Sequence, residues 1–325
     1  MIILSNEDVA ILLPMKEAIE VIDRTMIDVS KGSATLPLRT AIPIGSNNRM
    51  GIMPGAISNP ACFGVKLISL FPDNSAKGLS SHRGALVLFD SETGGAVAMM
   101  DASLLTAIRT AAASGVATRA LAREDATSLT IIGYGEQAEH HLDAMLSVRD
   151  IKQLHVAGRS AQKAVTFCEK AAQKYPFLKM TSGDNIQAAV EKADIVCTVT
   201  ASPTPILLGD WIASGTHLNI VGSSIPTKRE IDDKMVERAE IWVDYLPSTL
   251  AQAGEIIEMI DAGKITQGYI KGEIGSVLAG NLAGRTGTID ITLYRSLGVT
   301  AQDLASAHHI TEQANARGMG QQVQF

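Results

Sequence analysis

Apolar positions along the chain keep two different periods, and the change between them divides the sequence. Near the N-terminus Ser5, followed by Glu7 and Asp8, precedes an apolar-periodic stretch and marks a helix start; a second helix is predicted from Met15 to about Ser30. Short β-like runs follow at Leu38–Ile44, Gly51–Met53, Phe63–Phe71 and Ala85–Asp90, separated by Gly, Asn and Pro turns, and Asp90 to Gly95 reads as a hairpin connection. This first third is α+β. From Asp101, a candidate N-cap, to about Arg123 the residues are small and helical, which permits very close packing.

After Asp125 the period switches back and forth. Strands are predicted at Ser128–Gly133, Gln153–Ala157, Ile195–Thr200, His217–Gly222 and Ile241–Asp244, with helices near Gln137–Val148, Ser160–Tyr175 and Ile186–Lys192. Strand and helix in alternation are the pattern of a parallel, doubly wound α/β sheet. The stretch Gly298–Arg317 reads as a helix that returns to the first domain. At 325 residues the chain exceeds what one hydrophobic core organises. The expected division is residues 121–296 against residues 1–120 together with 297–325.

One turn in the second region carries chemistry. Gly133-Tyr134-Gly135-Glu136-Gln137-Ala138 follows the strand Leu129–Ile132 and opens a helix, the setting in which a glycine-rich turn binds a dinucleotide pyrophosphate. Gly133 permits the tight turn, Gly135 lets the backbone approach the phosphates, and the helix N-terminus at Glu136 and Gln137 offers free amides. This is the Rossmann pattern. The next strand ends in Gly158-Arg159-Ser160, where an NAD-specific site would place a carboxylate on the ribose; Arg159 offers a cation to a 2′-phosphate, and Ser160 a hydroxyl and an amide. NADPH is therefore preferred, with NADH as the alternative. Thr198, Val199 and Thr200 close the strand Ile195–Thr200 at the carboxyl edge of the sheet and are expected to border the ribose and nicotinamide.

Composition narrows the partners. A net charge of −6 gives no basic surface for nucleic acid, and no run of about 18 uncharged apolar residues could span a membrane. Cys62, Cys168 and Cys197 lie far apart, so neither a metal site nor a disulfide framework is indicated, and a reducing cytoplasm is the expected compartment. The N-terminus has neither the positive region nor the apolar stretch of a secretion signal. His308-His309 has no third ligand at metal spacing, and Glu255, Glu258 and Asp261 are expected on a solvated helix face.

Arg39, Lys66 and Arg109 stand where solvated charges are less expected, Lys66 within an apolar strand and Arg109 within the small-residue helix. A small carboxylate would satisfy them together, although each alone also fits a wet strand or helix face.

Here the sequence resembles the ornithine cyclodeaminase and mu-crystallin family. The matching segments are Leu36–Arg39, Gly51–Gly55, Gly64–Lys66, Thr106–Ala112, Gly133–Ala138 and Gly222–Glu230. The resemblance implies a Rossmann domain inserted in a discontinuous substrate and dimerisation domain, a homodimer, and a substrate carboxylate held by Arg39, Lys66 and Arg109. Ser223 and Lys228 fall at family positions near the cofactor. Where the cyclodeaminases carry a catalytic Asp two residues before a Pro, this chain has Ser224 before Pro226, as in the ketimine reductase branch, and Ser81-His82 also looks like that branch. The resemblance thus implies reduction of a small cyclic imino acid, Δ1-pyrroline-2-carboxylate to L-proline or Δ1-piperideine-2-carboxylate to L-pipecolate. His82 is the candidate proton donor and Ser224 a hydrogen-bonding partner. The competing readings are ornithine cyclodeamination, an L-alanine dehydrogenase and a non-catalytic NADP(H)-binding protein.

Overall fold

The computed structural model describes residues 1–45 and 47–324 and divides into two units, Met1–Ala112 with Gly298–Phe325, and Ala113–Leu297. In the first unit, Ser5 and Asp8 form a reciprocal capping box at the start of the helix Asn6–Leu12. The helix Met15–Ser30 buries the stripe Ala18, Ile19, Ile22, Met26 and Val29 and packs on the helix Thr300–Arg317. The strands form one mixed sheet in the order Gln321–Gln322, Ile2–Leu4, Ala96–Asp101, His82–Asp90, Ala61–Leu70, Asn48–Ser58 and Ala34–Thr35, with Thr40–Ile44 also paired to Asn48–Ser58.

Two strand readings change. The run at Gly51–Met53 belongs to an eleven-residue strand, Asn48–Ser58, whose Gly and Pro positions hid its length. Ala96–Asp101, unassigned beyond the expected hairpin connection, is the second strand of that hairpin, across the Asp90–Gly95 turn, where Asp90 Oδ1 accepts from Thr93 N at 2.7 Å. One face of the sheet is covered by the helix Thr300–Arg317, which packs on Asn48–Ser58, Ala61–Leu70 and His82–Asp90. Side chains alternate along a strand, so the opposite face carries Phe63 and Leu67 on one strand and Ile42 on another, 36%, 37% and 41% exposed. Phe63 stacks on its cross-strand neighbour Phe89, with ring centroids 5.1 Å apart.

The second unit is built on an eight-stranded sheet, every pair of which is parallel. The order is Lys179–Gly183, Gln153–Ala157, Ser128–Ile132, Ile195–Thr198, His217–Ile220, Thr292–Arg295, Glu240–Val243 and Gly272–Glu273. The order reverses between Ser128–Ile132 and Ile195–Thr198, the switch point at which such sheets bind ligands outside their carboxyl ends. Three of these strands escape the apolar pattern. Lys179–Gly183 is a polar second flank, Gly272–Glu273 has only two residues, and Thr292–Arg295 ends in charge although all four of its residues are buried.

The helix Ala102–Leu121 starts where expected, with Asp101 Oδ1 accepting from Leu104 N at 2.9 Å, and its small residues are buried nearly throughout. The units divide within it, after Ala112. No helix among the described residues is long and apolar enough to cross a membrane.

Candidate functional site

The first unit gathers the three basic residues. Lys66 lies on the strand Ala61–Leu70, Arg109 on the helix Ala102–Leu121, and both are buried, at 1% and 4% exposure. The anion they meet is Asp303, one turn into the helix Thr300–Arg317: Lys66 Nζ and Arg109 Nε each donate to Asp303 Oδ1 at 2.8 Å. Lys66 also donates to Thr106 Oγ1 at 3.2 Å, and Arg109 to Gln302 Oε1 at 3.0 Å. Arg39, half-buried, donates from Nη2 to the carbonyl of Gly298 at 2.6 Å.

Gly298 has φ +74°, and a Cβ there would collide with the guanidinium of Arg109. The glycine is thus required twice, for its left-handed turn and for the room it leaves.

The electrostatics favour a further anion. Burial and the neighbouring Arg109 charge push the Lys66 ammonium down to about 7, against the pull of Asp303. Burial works to raise the Asp303 carboxyl, but Arg109 and Lys66 outweigh it and hold the group below the usual carboxylate range. Asp303 therefore stays ionised, with two cations on one of its oxygens.

His82 begins the adjacent strand and is exposed, with Nδ1 3.0 Å from Ser81 Oγ. The protein around the ring removes part of its hydration and Lys66 adds repulsion, so the imidazole is biased to its neutral form.

The second unit holds the glycine turn at the switch point. Gly133 has φ +122°, and a Cβ there would stand 2.9 Å from the Val199 carbonyl, so the turn passes close over the end of the neighbouring strand. Gly135 caps the helix Glu136–Val148 with extended backbone and no side-chain bond, and a Cβ built on it would meet nothing within 4 Å. Open space therefore stands before the helix N-terminus, the place where a helix of this kind receives a pyrophosphate. Gln137 contributes a buried Oε1 with no partner among the described residues. Gly158 is buried against the Tyr134 ring, Arg159 is exposed, and Ser160 caps the helix Ala161–Lys174, accepting from Lys163 N at 3.3 Å.

Beyond the fourth and fifth strands the structure shows a clasp centred on a residue that sequence reasoning missed. Glu230, fully buried, accepts from Thr198 Oγ1 at 2.8 Å, Thr200 N at 2.9 Å, Thr200 Oγ1 at 2.7 Å and Gly222 N at 2.7 Å. The hydroxyls of Thr198 and Thr200 are thus taken up in holding two loops together, whereas Val199 lies beside the glycine turn. Burial pushes the Glu230 carboxyl up, and the threonine hydroxyls pull it back.

In the second loop Ser223 donates to the Lys228 carbonyl at 3.0 Å, and Ser224 and Lys228 are half-buried. Arg295, buried at the end of Thr292–Arg295, donates to the Ser223 carbonyl at 2.6 Å and pairs with Glu255. Glu255 therefore departs from the expected solvated face: it is 1% exposed, because the cation that neutralises it arrives from 40 residues away. Glu258 and Asp261 do lie at the surface, Glu258 with Arg229 at 3.1 Å. His309 pairs with Glu17 at 3.0 Å and His308 with Glu312 at 3.5 Å; no metal-binding cluster is found among the described residues.

Comparison with known proteins identifies the family and the fold. A sequence model of the ornithine cyclodeaminase/mu-crystallin family matches residues 1–318. The chain is 31% identical over 329 residues to a Δ1-pyrroline-2-carboxylate reductase of Bacillus cereus, covering all of both chains. The structure of Thermococcus litoralis Δ1-pyrroline-2-carboxylate reductase in complex with NADH and L-proline superposes with a TM-score of 0.96 at 35% identity, covering 99% of this chain and 100% of that one. An archaeal alanine dehydrogenase dimer with bound NAD gives a TM-score of 0.93 at 29% identity, covering 100% of this chain and 99% of that one.

Proposed function

We propose, from the premise that the chain belongs to the ornithine cyclodeaminase/mu-crystallin family, that this nicotinamide-dependent oxidoreductase of C=N bonds reduces cyclic ketimines carrying an α-carboxylate. The substrates are Δ1-pyrroline-2-carboxylate, giving L-proline, and Δ1-piperideine-2-carboxylate, giving L-pipecolate.

The observation that carries this reading is the pair of buried cations on one oxygen of Asp303, a seat that favours a small carboxylate. A bound nicotinamide dinucleotide would supply the hydride. Lys66 and Arg109, with Arg39 beside them, hold the carboxylate and so orient the ring, a contribution of proximity. His82, exposed and biased to neutral, stands at the site edge as a relay that takes a proton from solvent and passes one to the ring nitrogen. Ser224 offers a hydroxyl and no carboxylate, which disfavours the base chemistry of ornithine cyclodeamination.

On the cofactor side the open helix N-terminus at Gly135 to Gln137 takes the pyrophosphate, and the Glu230 clasp holds the Thr198–Thr200 and Gly222–Lys228 loops at the carboxyl edge. Arg159, exposed and free of any ion pair among the described contacts, favours NADPH over the NADH and NAD seen in the neighbouring structures. A homodimer is supported by the alanine dehydrogenase neighbour and by the uncovered sheet face of Ile42, Phe63 and Leu67. Three free thiols suit a reducing cytoplasm.

The test is NADPH oxidation with Δ1-pyrroline-2-carboxylate, expected to be stoichiometric with L-proline formed. Ammonia release from ornithine without net cofactor change would overturn the reading in favour of a cyclodeaminase. Oxidation of NADPH or NADH only with pyruvate and ammonia would make the enzyme an alanine dehydrogenase.

A further inference from the structure

We infer that Asp303 is a positioning residue that fixes Lys66 and Arg109 as one paired seat for the substrate carboxylate, and that the segment Gly298–Asp303 supports all three cations. The inference rests on the reading of those cations as a carboxylate site.

The donors can be counted. An ammonium has three N–H groups, and Lys66 gives two of them to Asp303 and Thr106. A guanidinium has five, and Arg109 gives one from Nε to Asp303 and one from Nη1 to Gln302. One N–H of Lys66 and three of Arg109 are left without a partner among the described residues, on side chains 1% and 4% exposed. Donors without a protein partner are available to a ligand, and a carboxylate has about four acceptor sites, enough for all of them.

Both cations bond to the same oxygen of Asp303, so their positions are set relative to each other and not only to their own strand and helix. Without that oxygen two like charges would lie buried side by side. The other oxygen, Oδ2, has no partner among the described residues.

The support extends back along the chain. Gln302 orients the Arg109 guanidinium, the absence of a Cβ at Gly298 makes room for it, and the Gly298 carbonyl receives Arg39. Three residues of this six-residue segment, Gly298, Gln302 and Asp303, thus meet three cations that come from a loop, a strand and a helix far earlier in the chain.

A structural filler and a positioning carboxylate differ in what they do to the charge on Lys66. The groups acting on that ammonium are Arg109 and Arg39, which lower its proton affinity along with burial, and Asp303, which raises it; His82 in turn feels its charge. Anion binding needs the protonated form, so wild-type affinity for a carboxylate should fall as pH rises through about 7. Removing the Asp303 charge should move that fall to lower pH.

The experiment is calorimetric binding of pyrrole-2-carboxylate, a planar five-membered ring with one carboxylate, to wild type and Asp303→Asn over a pH series, with NADH binding measured alongside. Expected are a loss of at least about tenfold in carboxylate affinity at neutral pH, a midpoint displaced to lower pH by about one unit or more, and unchanged NADH affinity. An Asp303→Asn protein with the wild-type midpoint and affinity overturns the inference. If that variant loses NADH binding and cooperative melting, Asp303→Glu decides. A midpoint kept at the wild-type value supports the role, and one displaced to lower pH overturns it. A wild type that binds the probe with this pH dependence but reduces no ketimine sinks the reductase reading and leaves the positioning role standing. A wild type that binds no carboxylate overturns the inference itself.

Discussion

In the proposed reading, the two units handle anions by opposite means. The first buries cationic side chains and steadies them with an internal carboxylate, so its specificity is carried by full charges with little solvent around them. The second offers backbone amides at a glycine turn, and the charge it offers to a 2′-phosphate, Arg159, is exposed. Buried charge gives strong, geometry-dependent recognition and needs an internal counter-ion; backbone amides need only a turn that no side chain obstructs. A small substrate whose ring must be oriented calls for the first solution, and a long cofactor with many contacts can rely on the second.

Replacing Arg109 by Leu should break this contrast most sharply. It removes a desolvated charge and leaves Asp303 with Lys66 alone, so kcat/KM for the ketimine should fall by about a thousandfold. Cofactor affinity, followed by nicotinamide fluorescence, should stay within about twofold of wild type if the two modes are independent, because amide binding makes no use of that charge. A comparable loss of cofactor affinity would mean that the contrast is wrong.

Gly133→Ala tests the other mode. The added methyl meets the Val199 carbonyl in a left-handed backbone, so cofactor affinity should drop by about ten- to a hundredfold, with a lower melting temperature. Pyrrole-2-carboxylate binding measured without cofactor should be retained.

The smallest change sharpens the comparison within the cofactor side. Arg159→Ala should weaken NADPH by about tenfold and NADH hardly at all, since an exposed cation contributes through a charge-assisted contact to the 2′-phosphate alone. Equal losses for both cofactors would remove Arg159 from that role.

The same contrast explains what could be read from the sequence. The glycine turn is local: its residues are consecutive, and their strand and helix neighbours carry periodic patterns, so its place between strand and helix was legible. Arg39, Lys66 and Arg109 could be singled out as charges in apolar surroundings, with the resemblance supporting them. Their partner could not be identified, because Asp303 lies 237 positions from Lys66 and 194 from Arg109, in a helix that otherwise reads as packing.

Glu255 was misread for a related reason. Periodicity sees a carboxylate on a helix and has no access to Arg295, whose own strand was hidden by its polar ends. Glu230 gave one faint signal, a carboxylate directly after the family-like Gly222–Lys228 loop, but its four donors come from two separate loops.

The position of Gly298–Asp303 near the end of the chain also has a consequence for synthesis. A chain leaving the ribosome has all of residues 113–297, and so every strand of the parallel sheet, before it has the helix that completes the first unit. Domains fold as they emerge, so the cofactor fold can be in place while Lys66 and Arg109 still lack their counter-ion. In the proposed reading, a chain cut short after residue 297 would keep every strand of the parallel sheet and lose the seat for the carboxylate.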